Sequence, residues 1–562
     1  MSDPFLNLER GRTAQAAALL RENPTLFGEV ASKLKQENIT SPVFSHLPAV
    51  RAMGGAASIN DMVILPSSDV TIKATAESLF KRIGPTHTMF IRGGAVMEIV
   101  EHNGVFSLEI ISPAAARSRF ESYATLFAYR VGRGGKEELR PTVIPQEMAA
   151  ALLETLEARI FLPEITGLIN CPVIACIEGE VQIASKGFHL ATGLFVTDGQ
   201  QPKEIGLPKA KSALRELVDG FDFQSPSDRS RALASFITPA LKLGGHLHSN
   251  VPADVAEADQ SQAGKTYRQK LVAALYNDRP ALVTCRSGGV GSVDESLNAQ
   301  LMAGHPFIQL DNFRGKFNSP HIEAFLTAEK SFPVRVPHTR EVLIDPSQFF
   351  VMLTSNGVET TRDFANRASI VRIRKRQGYV FRQHPEGDLL DHVRAHQQHY
   401  LGAVFAIVRE WIEQGRPLSS ETRHDFREWV QTLDWIVQNI LGEAPLMDGH
   451  QAAQERVSDP NLTFLRKLAL ALADQNRLGE ELKASELYEI CVNADVVVPG
   501  LREANEEKGK LKVGSAMAPL FKTCTRVSMD GFTVTRREED IERDDGGGRF
   551  PSKTYQFERV AP

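Results

Sequence analysis

The sequence predicts an α/β core between an α+β N-terminal domain and a C-terminal winged helix. From Ser225 to about Arg376, apolar strand-like runs alternate with helix-like stretches, as they do in an α/β sheet. Short β-rich runs separated by Gly or Asn-Gly precede this core, and about 100 residues of helices and a two-stranded ribbon end the chain. The predicted domains are residues 1–220, 221–380, 381–450 (a helical segment) and 451–562.

Bulk composition indicates a multidomain globular protein. The chain has 562 residues, 42% of them hydrophobic and 24% charged, and a net charge of −5. That net charge argues against a surface coated in positive charge, although a local basic strip would still be enough to bind nucleic acid.

Targeting signals and cysteines set the expected location. The longest apolar runs are too short to cross a bilayer, and the N-terminus lacks a basic region followed by an apolar stretch. Five widely spread cysteines fit a reducing compartment better than a disulfide framework. We therefore expect a cytoplasmic protein with no membrane partner.

The N-terminal region reads as short hairpins and helices without an assignable activity. Thr86–Ile91, Val96–Val100 and Phe106–Ile111 are β-rich runs, and Glu147–Arg159 is a helix candidate. We find no zinc ribbon and no carboxylate cluster at polymerase spacing in this region. Its role is therefore left unassigned.

The main chemical signal is DQSQAGKTY at residues 259–267. It matches the phosphate-binding pattern G-x-x-x-x-G-K-[ST] except at the first glycine, where an aspartate stands. A glycine lets backbone N–H groups curl around a phosphate, the lysine reaches the β- and γ-oxygens, and the threonine offers a hydroxyl to Mg²⁺. The predicted ATP-binding residues are Gln262, Ala263, Gly264, Lys265 and Thr266.

Two later strands supply polar groups. One is a short apolar strand, HPFIQLDNF, that ends in Asp311 and Asn312. A carboxylate at that position would hold Mg²⁺ together with Thr266. The strand Phe349–Leu353 leads to Asn356, whose amide could orient the attacking water.

Two arginines follow, before the strand Ser369–Ile373. Arg362 or Arg367 could reach across a subunit boundary and neutralise charge in the transition state. Taken singly, each is equally well read as part of a surface salt bridge.

These segments together resemble a known family. GHPFIQLDNFRGKFNSPHIEAFLT, FPVRVPH, the strand into TSN, and RDFANR are similar to the ATPase core of phage, plasmid and island-encoded primase-helicases, relatives of the superfamily three helicases within AAA+. The resemblance covers about residues 225–376. It implies an α/β P-loop (AAA+ type) ATPase core, Mg²⁺ with ATP bound between neighbours, and a ring that is usually a hexamer.

The resemblance also assigns roles. Lys265 and Thr266 match the Walker A pair, Asp311 with Asn312 the end of Walker B, Asn356 the first sensor, and Arg367 the arginine finger. The family often writes the last motif as Asp-x-x-Arg-Arg, and this chain is one arginine short, so Arg362 stays open as the finger.

Walker B ends in Asp-Asn instead of Asp-Glu, so the residue that polarises water is not identified. Asp294 or Glu295 could supply a carboxylate, but a solvated pair at a helix start is the favoured interpretation. Asp311 itself is the remaining choice.

Candidate nucleic-acid contacts lie on a hairpin at Lys330–Ile344, which corresponds to the pore hairpin of related ring helicases. Its basic side chains would meet backbone phosphates without reading sequence, although an exposed charged hairpin with no such role is an equal alternative. The candidates are Lys330, Arg335, His338 and Arg340.

The C-terminal module gives a second hint. Its third helix is predicted at Ser515–Cys524, preceded by three lysines, and Arg536 and Arg537 lie on the first ribbon strand. A winged helix could place these groups on DNA or could contact a protein.

The leading interpretation is an ATP-driven oligomeric DNA translocase, a replicative helicase or initiator of a mobile genetic element, acting on single-stranded or forked DNA. One alternative is an AAA+ ATPase that remodels or loads a protein partner. Another is a nucleotide-dependent DNA-binding switch or defence component with little turnover.

Overall fold

The computed structural model describes residues 62–131, 137–177, 179–258, 262–283, 292–313, 316–335, 341–355, 359–376, 382–458, 460–501, 506–522, 524–529, 531–542 and 549–559. Within these ranges the chain has mixed α/β content. None of the described helices is both long enough and apolar enough to cross a membrane.

The N-terminal elements alternate short strands with short helices. The strands are β1 (Met62–Ile64), β2 (Met89–Arg92), β3 (Ala95–His102), β4 (Val105–Ile110), β5 (Thr125–Val131), β6 (Glu137–Pro141), β7 (Gly167–Ile169), β8 (Val173–Ile177), β9 (Glu180–Ala184), β10 (Gly187–His189) and β11 (Leu194–Val196). The helices are α1 (Ile72–Ile83), α2 (Pro113–Tyr123), α3 (Gln146–Leu153), α4 (Leu156–Phe161) and α5 (Leu207–Asp219). The predicted single helix at 147–159 is divided in two, because Thr155 caps α4 by accepting a hydrogen bond from Ala158.

These N-terminal strands form four small sheets, β1-β5-β6, β2-β3-β4, β8-β9 and β10-β11-β7. The predicted β-rich runs become the antiparallel meander β2-β3-β4, with Asn103 and Gly104 at positive φ in its second turn. A buried arginine fastens this meander to the next region: Arg92 Nη1 donates to the carbonyl oxygens of Leu301 and Met302 at 3.0 and 2.8 Å.

The described residues of the central region form ten strands and five α-helices. The strands are β12 (Asp222–Phe223), β13 (Ala253–Ala258), β14 (Ala281–Leu282), β15 (Phe307–Phe313), β16 (Lys316–Phe317), β17 (Phe332–Val334), β18 (Val342–Ile344), β19 (Phe350–Ser355), β20 (Glu359–Thr360) and β21 (Ala368–Arg374). The helices are α6 (Pro226–Leu243), α7 (Lys265–Leu275), α8 (Val293–Ala303), α9 (Pro320–Thr327) and α10 (Arg362–Asn366).

Six of these strands form the main sheet, in the order β12-β21-β13-β19-β15-β14. Five run parallel, and β12 is antiparallel to β21 at one edge. β13 lies between strands that come later in the chain on both sides, so connections leave it in both directions. In open α/β sheets, ligands bind outside the carboxyl ends of strands at such a reversal.

Both faces of this sheet are covered, which explains its nearly continuous apolar strands. All six residues of β19 are buried. On one face, Met352 and Val371 join the core that includes residues of α6 and α7. On the other, Leu353 and Ile370 pack in a core with residues of α8 and α9.

A buried ion cluster ties α6 to β21. Asp228 Oδ1 lies 2.6 Å from Arg231 Nη2, and Asp228 Oδ2 lies 3.3 Å from Arg372 Nη2. Burial alone would raise the pKa of Asp228, but Arg231 and Arg372 outweigh it and hold the pKa below its usual value. The carboxylate therefore stays ionised inside the core.

Helices follow the sheet. They are α11 (Leu389–Ala395), α12 (Gln397–Glu413), α13 (Arg427–Trp435), which continues as one π-helical stretch at Ile436–Leu441, and α14 (His450–Ser458).

Where it is described, the C-terminal module has three α-helices and a four-stranded antiparallel sheet of order β22-β25-β24-β23. Its elements are α15 (Pro460–Asp474), β22 (Glu481–Lys483), α16 (Ala484–Asn493), α17 (Glu506–Met517), a 3₁₀ turn (Ala518–Phe521), β23 (Arg526–Met529), β24 (Phe532–Glu542) and β25 (Arg549–Arg559). Leu465, Leu487 and Val513 join the three helices in one core with Tyr555 of the sheet.

The predicted position of the third C-terminal helix is wrong. The α-helix is Glu506–Met517 and not Ser515–Cys524, so the three lysines expected before it lie on it. Gly509, on this helix, is needed for packing, because a Cβ at this position would lie 2.2 Å from the Tyr488 ring. Close approach of α17 to α16 explains the glycine.

Candidate active site

The GKT segment lies where β13 ends and α7 begins. Gly264 has φ 92° and ψ 10°, a left-handed conformation that glycine adopts at little cost, and α7 starts at Lys265. A Cβ on Gly264 would lie 2.9 Å from Cε1 of Phe221. Gln262, at φ 63°, is exposed, and Ala263 is buried beside it. The first backbone N–H groups of α7 therefore point to this edge of the sheet.

Asp311 is the point at which three chain segments meet. The hydroxyls of Thr266, on α7, and Thr354, on β19, each donate to Asp311 Oδ1 over 2.7 Å. The pairing of β15 with β19 shifts register between Leu310 and Phe313, so Asp311 lies at an irregularity in the ladder. The structure thus brings Thr266 and Asp311 together, and it adds Thr354 to the predicted set.

Lys265 is the first residue of α7, directly before Thr266, and is 8% exposed. Burial lowers the pKa of its ammonium group, while the negative charges of Glu257 and Asp311 act against that shift. Glu257, on β13, is 3% exposed and stands opposite Ser355 and Arg372 in the ladder. The two carboxylates favour the charged form of Lys265 against the effect of burial, and a charged ammonium group can contact the anionic oxygens of a ligand.

A polar layer below the site holds α7 against the strands. Arg268 Nη2 lies 2.5 Å from Asp254 Oδ1. The Gln269 amide donates to the carbonyl oxygens of Asp254 and Leu353 at 2.9 and 3.2 Å, and the amide of Gln309 donates to Gln269 Oε1 at 3.0 Å. These contacts fix the start of α7 relative to β13, β15 and β19.

The donor set fits Mg²⁺. Thr266 offers a hydroxyl oxygen and Asp311 a carboxylate oxygen at 2.7 Å from one another, and Mg²⁺ prefers oxygen ligands of these kinds. Residues 259–261, the first part of the predicted loop, lie outside the described residues.

The two candidate finger arginines have different surroundings. Arg367 Nη1 donates to the Glu323 carbonyl oxygen at 3.2 Å and lies 4.0 Å from the Glu323 carboxylate. Thr361 also donates to that carboxylate. Arg362 is exposed at the first position of α10. Arg367 is therefore held by α9 of its own chain, and the choice of finger stays a prediction.

Some of the predicted site residues are not among the described residues, or are described only in part. Asn356, His338 and Arg340 fall outside the described residues, and for Asn312 only the backbone, in β15, is described. Asp294 and Glu295 lie in the first turn of α8, as the helix-start interpretation predicts.

The predicted hairpin forms from β17 and β18, which pair antiparallel. Val334 and Val342 are buried in the core. Lys330 and Arg335 are exposed, and the Arg335 carbonyl oxygen accepts a hydrogen bond from Asn298. The apolar side chains thus anchor the hairpin while its described basic side chains face solvent.

The basic residues of the C-terminal ribbon are paired with acids. Arg536 lies 3.0 Å from Glu538 and over the Phe521 ring, and Arg537 pairs with Glu481. Lys553 also lies 3.5 Å from Glu538. These pairs reduce the positive field that the ribbon could offer to phosphates.

Sequence patterns missed Glu257, Phe221 and Thr354. No motif marks the first two. Thr354 stands two residues before the predicted Asn356, and its hydroxyl at the end of a buried strand was the available signal.

No protein family model matches this chain, and no curated protein matches it. Among solved structures, the chain is similar to one described as "SCCmec type IV Cch - active helicase", at 10% sequence identity and a TM-score of 0.30. The match covers 83% of this chain and 97% of the other. A likeness at this level carries no argument about what the chain does.

Proposed function

We propose that this chain is an ATP-driven oligomeric DNA translocase with a P-loop ATPase core of the AAA+ type, a replicative helicase or initiator of a mobile genetic element. One observation carries the ATPase part: the hydroxyls of Thr266 and Thr354 meet on Asp311 beside the buried Lys265. The translocase part rests on the sequence resemblance of residues 225–376 to mobile-element replication proteins.

Each residue has a part in this proposal. The Lys265 ammonium group and the first N–H groups of α7 receive the phosphate oxygens. Thr266 and Asp311 hold Mg²⁺, which when bound neutralises charge on the phosphates. Thr354 fixes the orientation of the Asp311 carboxylate from the adjacent strand. Gly264 lets the chain turn between β13 and α7 against Phe221.

A substitution of Lys265 tests the ATPase proposal. We expect Lys265→Ala to lower ATP hydrolysis by about a hundredfold or more, because it removes the cation that faces the phosphates. The matched control is Lys270→Ala, an exposed lysine on the same helix. Hydrolysis and binding of a fluorescent ATP analogue are measured with and without single-stranded DNA. Unchanged hydrolysis in Lys265→Ala would remove the site.

The same assay separates the candidate functions. Stimulation of the unmodified protein by single-stranded DNA supports a translocase over an ATPase that remodels a protein partner. Strand displacement from a forked duplex supports a helicase over a switch with little turnover.

A second test concerns the hairpin β17-β18. Removing the charges of Lys330 and Arg335 should weaken single-strand binding and reduce its salt dependence. Each lost phosphate contact lowers the slope of log K against log salt concentration by about 0.7, so two contacts lower it by about 1.4. The control replaces Lys73 and Lys209, which are exposed on α1 and α5. A slope equal to that of the control would count against the hairpin as a DNA contact.

A further inference from the structure

A tight turn after the core sheet presents a carboxylate to a helix. His384 and Gly387 exchange backbone hydrogen bonds of 2.8 and 3.1 Å. Gly387 has φ 131°, and a Cβ there would lie 2.6 Å from Asp391 Oδ2, so the turn requires glycine. Glu386 is therefore held at a defined place beside α11.

Two imidazoles meet this carboxylate. His392 lies on α11, and His396 is the residue that caps its end, with its N–H donating to the His392 carbonyl oxygen, so the two side chains lie one turn apart on the same side. Glu386 Oε2 lies 2.8 Å from His392 Nδ1, and Glu386 Oε1 lies 2.8 Å from His396 Nε2. One ligand atom from each of the three residues lies within 4.8 Å of the other two.

A third imidazole packs against this group, because His384 stacks on His392 with ring centroids 4.2 Å apart. A metal ion binds imidazole nitrogens that carry no proton, so binding would displace the two N–H protons that His392 and His396 direct at the Glu386 carboxylate.

We propose that Glu386, His392 and His396 bind a divalent transition-metal ion of the zinc class. Imidazole nitrogens select such ions over Mg²⁺ and Ca²⁺, and two histidines with one carboxylate form a ligand set that Zn²⁺ uses, with a fourth position for water. This site is separate from the Asp311 cluster and does not depend on the proposed ATPase function.

The place of the site indicates what the ion does. Leu390 N–H, on α11, donates to Tyr267 Oη, on α7, at 2.8 Å, so the helix that carries His392 packs on the helix that begins at Lys265. An ion held by Glu386 and the two histidines fastens the 384–387 turn to the end of α11. It acts as a structural clamp on a helix in contact with α7.

The experiment measures metal binding by the full chain. The protein is stripped with a chelator, dialysed against ZnCl₂ and analysed for bound metal, and Co²⁺ is added separately to record its visible absorption. We expect one zinc ion per chain, a Co²⁺ spectrum of a low-coordinate nitrogen and oxygen site, and a higher thermal midpoint with Zn²⁺ than without.

Variants locate the ion. His396→Ala should lose the bound zinc and the Co²⁺ band, and Glu386→Gln, a smaller change at an exposed position, serves if the first variant fails to fold by circular dichroism. The control is His102→Ala, from an exposed pair in which His102 lies 2.9 Å from Glu109 without a second histidine. A protein that binds no zinc above the His102→Ala background, or both site variants keeping the ion, would overturn the proposal and leave a hydrogen-bonded His–Glu–His network.

Discussion

Gly264 shows how one residue sets the geometry of the candidate active site. Its left-handed backbone turns the chain from β13 into α7, and the ring of Phe221 lies where a side chain would be. Next to it, Lys265 is buried, with the charges of Glu257 and Asp311 opposing the effect of burial on its pKa. A conformation that few other residues accept is thus joined to a buried cation.

We expect Gly264→Ala to destabilise the fold by about 1–3 kcal/mol for the left-handed conformation, with a further cost from the contact with Phe221, and to weaken ATP binding. Urea unfolding and binding of a fluorescent ATP analogue measure the two effects. Gly104→Ala is the control, because Gly104 has φ 80° with no atom within 4 Å of an added Cβ. If both variants lose the same stability and both still bind ATP, then the contact with Phe221 does not add to stability and the turn at Gly264 is not needed for ATP binding.

Two buried histidines contact the backbone of β21. His424 Nε2 donates to the Ala368 carbonyl oxygen at 3.2 Å, while its Nδ1 accepts from Phe426 N–H at 3.1 Å. His450 Nε2 accepts from Ile370 N–H at 3.2 Å. Each ring thus uses one nitrogen as an acceptor, which requires the neutral form. Burial lowers the pKa of His424 to about 4 and lowers that of His450 as well.

The protein should therefore lose stability in mild acid. Both histidines have folded pKa values below the unfolded value of about 6.5, so their contribution is complete above that pH and declines as the pH falls toward the folded value. For His424, the loss between pH 7.5 and 5 is about 2 kcal/mol. Urea midpoints at the two pH values measure it.

A glutamine variant tests whether His424 causes the loss of stability in mild acid. His424→Gln should show a smaller drop in urea midpoint between pH 7.5 and 5 than the unmodified protein, whatever its stability at pH 7.5. His102→Ala, at an exposed position, should retain the full drop. An undiminished drop in His424→Gln would contradict the assignment.

Local patterns predicted elements better than their arrangement. Alternation and an Asn-Gly turn predicted β2, β3 and β4, and long apolar runs predicted β15 and β19. Two glycines and three lysines gave no apolar pattern for α17, because the packing of Gly509 on Tyr488 depends on contact with the neighbouring helix α16. The motifs predicted Lys265, Thr266 and Asp311. Glu257 and Phe221 reach the site because of the order of the strands in the sheet and the reversal of the chain, and no local motif encodes these.

Across the whole molecule, the N-terminal region is fastened to the core. Arg92, with its pKa lowered to about 10 by burial, donates to two carbonyl oxygens at the end of α8, where the helix dipole favours a cation. Gly93 lies against the backbone of Leu343 in the hairpin β17-β18. The meander and the hairpin are therefore expected to move together.

The proposed ring can be tested by mixing two inactive variants. If each active site takes Lys265 from one subunit and Arg367 from its neighbour, mixing Lys265→Ala with Arg367→Ala should restore hydrolysis that neither has alone. Random assembly from equal amounts completes about a quarter of the interfaces. Hydrolysis is measured after the two proteins are mixed, with each variant alone as the control.

The outcome also decides between the arginines. No recovery, with both variants assembling as the unmodified protein does, would contradict a shared site. Normal hydrolysis by Arg367→Ala alone would transfer the role to the exposed Arg362.

The main sheet ends on each side in a strand of only two residues, β12 at one edge and β14 at the other. So little free backbone gives an incoming strand almost no ladder to extend. Within the described residues, the two edges of the main sheet therefore disfavour a continuous sheet between copies of this chain, which would lock the subunits together.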